Sequence, residues 1–295
     1  ANINVTSSAG HAVRGKDFVM VSGGNLTAKS TAAMKKGVTS DSLVVFNGGV
    51  TTVTVSGGTA YDSDDNEYKA AAGVKADQLF VMNAGELHIT SSGNGGKGIS
   101  CDGKAYFQGG LAVVTVTGTK FGGNSSESKS PKGVKADGNL YISGGEISVT
   151  SKNHEGIESK GVIEIAGGTV YAQAGDDAIN SAGNLAIVGG NVCAYSTGND
   201  GIDANGDCFI EGGVVYAIGK SSPEVAIDAN TERGYSLYVN GGTLFAIGGL
   251  ENGAVLSQSC YSASSWSKNT WYSLTVGNNT YGFKTPSSGG SGIVV

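Results

Sequence analysis

A parallel β-helix, a solenoid in which three short strands per turn stack into a rod, is the fold this sequence predicts. Three observations predict it: an internal repeat with a period near 23 residues, a Gly-Gly pair at a constant place in each repeat, and apolar residues alternating on both sides of that pair. The repeat is plainest where Glu155-Gly-Ile-Glu158 returns as Asp177-Ala-Ile-Asn180, Asp200-Gly-Ile-Asp203 and Val225-Ala-Ile-Asp228, at steps of 22, 23 and 25 residues.

The glycine pairs set the register. Their first members are Gly23, Gly48, Ala84 (an Ala-Gly variant), Gly109, Gly144, Gly167, Gly189, Gly212 and Gly241. Two long intervals hold insertions, near Ser56 to Ala71 and Gly118 to Ser130, and without them every unit is 22 to 25 residues long, the last stretching to 29. Within Gly133 to Thr150, Val134 begins the first strand, Leu140 and Ile142 alternate in the second, and Ile147 and Val149 in the third. Alternation puts i and i+2 on one face, so these apolar residues point into a common core. The Gly-Gly pair makes the corner, where a side chain would obstruct the bend or demand a positive φ. Nine or ten such rungs, spaced by about 4.8 Å, give a rod of roughly 43 Å or slightly more. Residues 1–249 make the helix. Residues 250–295 leave the pattern, carry Trp266 and Trp271, and are expected to cap the last rung.

Composition narrows the function. Fifty glycines without a Gly-X-Y period, and only three prolines, exclude collagen. A hydrophobic fraction of 39% in short regular runs excludes disorder. A net charge of -6 argues against nucleic acid, which wants a basic face. No run of 18 apolar residues is present, so no segment is expected to span a membrane as a helix. The chain opens on Ala1, as a processed protein outside the cell or on its surface would. Cys101, Cys193, Cys208 and Cys260 lack zinc spacing and are not expected to form structural disulfides, and Cys208 reads as a small core residue.

Stacking converts sequence positions into columns. The residue after the first-strand Ile or Val reads Arg14, Thr39, Lys75, Ser100, Lys135, Glu158, Asn180, Asp203 and Asp228. Two residues before that Ile or Val come Lys36, Lys97 and Lys132, then Glu155, Asp177 and Asp200; one residue earlier lie His154, Asp176, Asn199 and Glu224. The edge is basic or neutral in the first half and acidic in the second. Like charges about 5 Å apart call for a counter-charge, and Ca²⁺ takes six to eight oxygens from carboxylates, amides and carbonyls. Asp176, Asp177, Asn199, Asp200 and Asp203 offer that set, and the near absence of thiols and histidines argues against zinc. The alternative is a solvated turn whose Asp and Asn cap the corners. Outward positions of the third strand read Ser148, Tyr171, Cys193, Tyr216 and Phe245, and those of the second read Tyr106, Tyr141, Glu164, Ala186, Phe209 and Tyr238. Such rings form a platform for sugars, or are covered by the insertions or by another copy of the chain, which would make an oligomer.

The recurrent Gly-Gly pair, with Gly133-Val-Lys-Ala-Asp-Gly138 and Asn199-Asp-Gly-Ile-Asp203, resembles the calcium-binding, parallel β-helix carbohydrate-binding proteins of bacterial cell surfaces. The resemblance covers about residues 73 to 248. It implies a right-handed helix with the fold of pectate lyases, bound Ca²⁺, and binding of pectic acid or cellulose without established catalysis. Carried onto this chain, the family's acidic corners are Glu155, Glu158, Asp176, Asp177, Asp200 and Asp203. Val225 and Asn180 depart from the acidic pattern.

Three functions follow from the residues. The first is calcium-assisted, non-catalytic polysaccharide binding, in which an acidic glycan is bridged by Ca²⁺ or meets Lys97, Lys132 and Lys135, and a neutral glucan lies on Tyr171, Tyr216 and Phe245. The second is a pectate lyase, which needs a Lys or Arg base beside the ion, with Lys160 and Lys135 as candidates. The third is a structural or adhesive surface protein. Two motifs mislead: Gly93, Gly95 and Gly98 fit G-x-G-x-x-G but precede a strand, and Asp62 to Glu67 begins like an EF-hand but has Glu67 where that loop needs glycine.

Overall fold

The structure is a computed structural model and describes residues 1–123, 125–220, 223–287 and 291–294. The chain is a parallel β-helix of about ten turns. The first strands of successive rungs make one nine-stranded, all-parallel sheet from Val13–Gly15 to Ile227–Ala229. The second and third strands join into a 19-stranded sheet that wraps the rest of the rod. The merging has a local cause. In the early rungs Phe18–Ser30, Leu43–Val55 and Leu79–Ser91 run unbroken through the Gly-Gly corner, which shows up only as a shift of register. Later rungs break there, as at Leu140–Ile142 and Glu146–Ser151.

The corner glycines are required by geometry. In the pair Gly189-Gly190, Gly190 has φ +86°, and a Cβ there would sit 2.7 Å from the carbonyl oxygen of Gly168 in the rung below. Gly189 has no positive φ, but its Cβ would meet the carbonyl oxygen of Ala166 at 2.8 Å. One glycine answers a backbone conformation and the other a close approach.

The alternating apolar residues fill the rod. Val134, Leu140, Ile142, Ile147, Val149, Ile157, Ile165, Val170, Ile179, Leu185, Ile187, Val192, Ile202, Ile210 and Val215 are all at or below 2% exposure and belong to one continuous core. Each stacks on its counterpart one rung away, as Ile157 does on Ile179 and Ile179 on Ile202. Cys101 and Cys208 are buried in the same core, and all four cysteines are free. The one helical element among the described residues is a 3₁₀ turn, Thr231–Arg233.

The insertions and the tail depart from the repeat. Ala60–Asp62 and Glu67–Lys69 form a small antiparallel hairpin, so the EF-hand-like stretch is its tip. The helix does not stop at residue 249. Leu250 bridges Ile227, and Val255–Leu256 pairs in parallel with Tyr238 and Val239, which adds a partial rung. Beyond it, Trp271–Val276 and Asn279–Lys284 form a second hairpin. Ser291–Val294 pairs antiparallel with both Thr243–Ile247 and Ser262–Ser265.

Candidate functional site

The predicted column from Arg14 to Asp228 is unbroken in the backbone pairing. The edge beside it divides into two electrostatic regions. At the boundary, Lys132 is buried, with its Nζ 2.8 Å from Glu155 Oε1 and 2.7 Å from Glu158 Oε1. Lys160 also donates to Glu158 Oε1. Burial works to raise the Glu158 carboxyl, but the two ammonium groups hold it below its ordinary range. Two expectations change here. Lys132 is not free on a basic column, and the charges of Glu155 and Glu158 already have a protein counter-charge. Glu158 Oε2 is nevertheless buried with no partner among the described residues.

His154 stands next to this pair. It contacts Glu155, and its Nδ1 lies 3.1 Å from Asp176 Oδ2. One ligand atom from each of His154, Glu155 and Asp176 falls within 4.8 Å of the others. Burial and the Lys132 ammonium push the imidazole below its usual pKa, against the pull of Asp176 and Glu158.

Among the described residues, the next three rungs have no such ion pair. Asp177 and Asp200 are almost wholly buried. Each carboxylate accepts a backbone N–H from the following rung: Asp177 Oδ1 from Asp200 at 3.1 Å, and Asp200 Oδ1 from Val225 at 2.7 Å. Asn180 bridges outward, donating to Asp177 Oδ2 at 2.9 Å and Asp203 Oδ2 at 2.6 Å. Asn199 donates to Asp176 Oδ1 at 3.1 Å. Burial pushes the pKa of Asp177 and of Asp200 up to about 7 and that of Asp203 to about 6, and neighbouring carboxylates add to each. Burial, hydrogen bonds and other carboxylates are the main causes, and among the described residues none of the three forms an ion pair. Asp228, in the same column, rises to about 9 through burial and a hydrogen bond with Glu251.

Hydrogen bonds thus link Asp176 with Asn199, Asp177 with Asp200, and Asn180 with both Asp177 and Asp203, while Glu155 and Glu158 are held by Lys132, with Glu155 also close to Asp176. The capping alternative is seen directly: Asp177 and Asp200 each cap with Oδ1, while Asp177 Oδ2 accepts from Asn180. Glu251 was missed. It lies past the last Gly-Gly pair, where only the continuing parallel pairing brings it beside Asp228. The side-chain donors of these rungs are oxygens and several are buried, the donor chemistry a hard cation takes, although the acids whose ligand atoms lie within 4.8 Å of one another, with a histidine, are Glu155 and Asp176 beside His154.

The aromatic columns also differ from expectation. Phe245 is 4% exposed and packs under the C-terminal hairpin, with Phe283 at a ring distance of 4.9 Å and Tyr281 at 6.0 Å. Tyr216 joins the same cluster and donates to the Lys284 carbonyl. The tail thus covers these two rings. Tyr171 remains half-buried outside that cover, with its hydroxyl 2.8 Å from Gln173 Oε1. The second-strand column instead presents two stacked pairs, Tyr106–Tyr141 at 5.0 Å and Phe209–Tyr238 at 5.1 Å.

In the basic half, Lys135 is engaged with Asp137, whereas Lys97 is half-buried with no ion pair among the described residues.

A family model described as "Carbohydrate-binding domain-containing protein" matches residues 1–178 and 127–245. No curated protein and no solved structure matches.

Proposed function

This chain belongs to the family of carbohydrate-binding domain-containing proteins, and from that membership we propose that it is a non-catalytic binder of polysaccharide whose acidic edge holds Ca²⁺. The observation that carries the proposal is the run of Asp177, Asp200 and Asp203. These are aspartates on adjacent rungs, largely removed from water, with no ion pair among the described residues to offset them. Taking a carboxylate out of water without compensation is costly, and a bound cation supplies the compensation.

Asp176, Asp177, Asp200 and Asp203 would hold the ion, with amide oxygens of Asn180 or Asn199 completing an oxygen set once their side chains turn. Bound there, Ca²⁺ would offer the uronate carboxylates of a pectic glycan a positive point on an otherwise negative surface. Neutral glucans would use stacked rings, of which Tyr106–Tyr141 and Phe209–Tyr238 are the exposed-side candidates and Tyr171 the remaining member of the third-strand column. The proposed setting is extracellular or on the cell surface, where such polysaccharides occur. Lys160 and Lys135, the candidate lyase bases, are both occupied by carboxylates, Glu158 and Asp137, which favours binding over elimination.

The test compares calcium-loaded and chelated protein. Chelation should lower the melting temperature, since an ion that binds only the native state stabilises it by mass action. Retention on polygalacturonate should fall with it. Asp177→Asn combined with Asp200→Asn should abolish both effects. Identical melting and retention with and without chelator would refute calcium assistance.

A further inference from the structure

The two insertions that interrupt the repeat come together. Tyr68 of the Ala60–Lys69 hairpin packs on Phe121 of the second insertion at a ring distance of 5.3 Å. Between them and the first-strand sheet lies a cleft of about 750 Å³, several rungs from the acidic cluster. Pockets of this size take a few sugar rings, and insertions in a solenoid commonly build its binding face.

The cleft's charges do not cancel evenly. Eight Lys and Arg line it against seven Asp and Glu, and the acids gather on four of the bases: Asp41 on Arg14, Asp62, Asp65 and Glu67 on Lys69, Asp77 and Asp102 on Lys75, and Asp137 on Lys135. Lys35, Lys36, Lys97 and Lys129 also line it and have no carboxylate partner among the described residues. Lys36 donates to the Met34 carbonyl at 2.6 Å. Lys36 and Lys97 flank Ala72 in one column, and that small side chain leaves room between them. Burial and the ammonium groups of Lys135, Lys129, Lys132 and Lys36 push the Lys97 pKa down to about 7. An incoming anion would relieve that crowding. Tyr68 adds a half-exposed ring on one wall.

We propose that this cleft is a calcium-independent site for an anionic sugar, whose carboxylate or sulfate is received by Lys36, Lys97 and Lys129 while its ring lies against Tyr68. The proposal rests on the chain being a glycan binder but not on the acidic edge.

Calorimetric titration in chelator, at low salt, tests it with trigalacturonate in one arm, a sulfated galacto-oligosaccharide in a second and cellotriose as the neutral control. At least one anionic arm should bind, weaken with added salt, and lose tenfold or more in Lys97→Met. That variant should melt no lower than the wild type, because it removes a crowded, unpaired ammonium. Asp177→Asn with Asp200→Asn should leave this binding intact, so failure of the calcium reading and failure of the cleft are distinguishable. The arm that binds identifies the anion. No anionic binding in chelator, or equal binding by Lys97→Met, would overturn the proposal.

Discussion

At the scale of single residues, the edge depends on which charges find partners. Lys132 binds two glutamates from the two positions its own rung faces, and all three are nearly withdrawn from water. Lys132→Met would leave Glu155 and Glu158 buried, with one exposed ammonium, Lys160, on Glu158 alone. A loss of about 3–5 kcal/mol in urea unfolding is expected, the usual cost of breaking a buried pair from one side. A loss under about 1 kcal/mol, the level of a surface pair, would mean that the glutamates are neutralised in another way. The alternation of Ile, Val and Leu was enough to identify every core position named from sequence, because burial in a β-helix follows period two. The Lys132 pairing was not legible. It depends on how deep a long side chain sinks between rungs, and column membership alone made Lys132 look like Lys97, though among the described residues one has an ion pair and the other has none.

At the scale of the element, the rung is defined by its corner. Gly190→Ala would put a side chain at φ +86° and 2.7 Å from the Gly168 carbonyl. The left-handed conformation alone costs about 1–3 kcal/mol in a residue other than glycine, and the contact adds to it. A lower melting temperature with unchanged strand content by circular dichroism is expected; unaltered stability would show that the corner can relax. The tail hairpin is the element that sequence described least well. A cap was expected from the loss of the repeat, and its strands lie over Tyr216 and Phe245 of the third-strand column. Nothing in the spacing of Trp271 to Lys284 says which column it covers. Removing its grip with Phe283→Ala should expose Tyr216 and Phe245, read as increased quenching of tyrosine fluorescence by acrylamide. No change in quenching would place the cover elsewhere.

At the scale of the whole molecule, the aspartates on adjacent rungs tie stability to pH. Asp177, Asp200 and Asp203 have folded-state pKa values of about 7, 7 and 6, above the ordinary carboxylate value of about 3.9. The folded chain therefore holds these protons more tightly than the unfolded chain. That contribution is fully present below about pH 4 and is lost as pH rises through 6 to 7. Metal-free protein should melt at a progressively lower temperature from pH 5 to pH 8. Saturating calcium should flatten or reverse the trend, because the ion needs the deprotonated acids. A flat metal-free profile would mean that the carboxylates ionise without penalty.

The division of the edge into basic and acidic stretches runs along the axis of the rod. Residues 1–150 carry 13 Lys and Arg against 12 Asp and Glu, while residues 151–295 carry 6 against 13. A rod so charged has a permanent dipole directed along its length. Near a polyanionic wall it experiences a torque before it makes any contact, and it arrives with the N-terminal rungs leading. The cleft would then meet the polymer first, and the acidic rungs would follow only where calcium screens them. Capture would be ordered in time, fast and salt-sensitive at one end, slow and chelator-sensitive at the other, giving two phases in a surface-binding trace where a uniformly charged rod would give one.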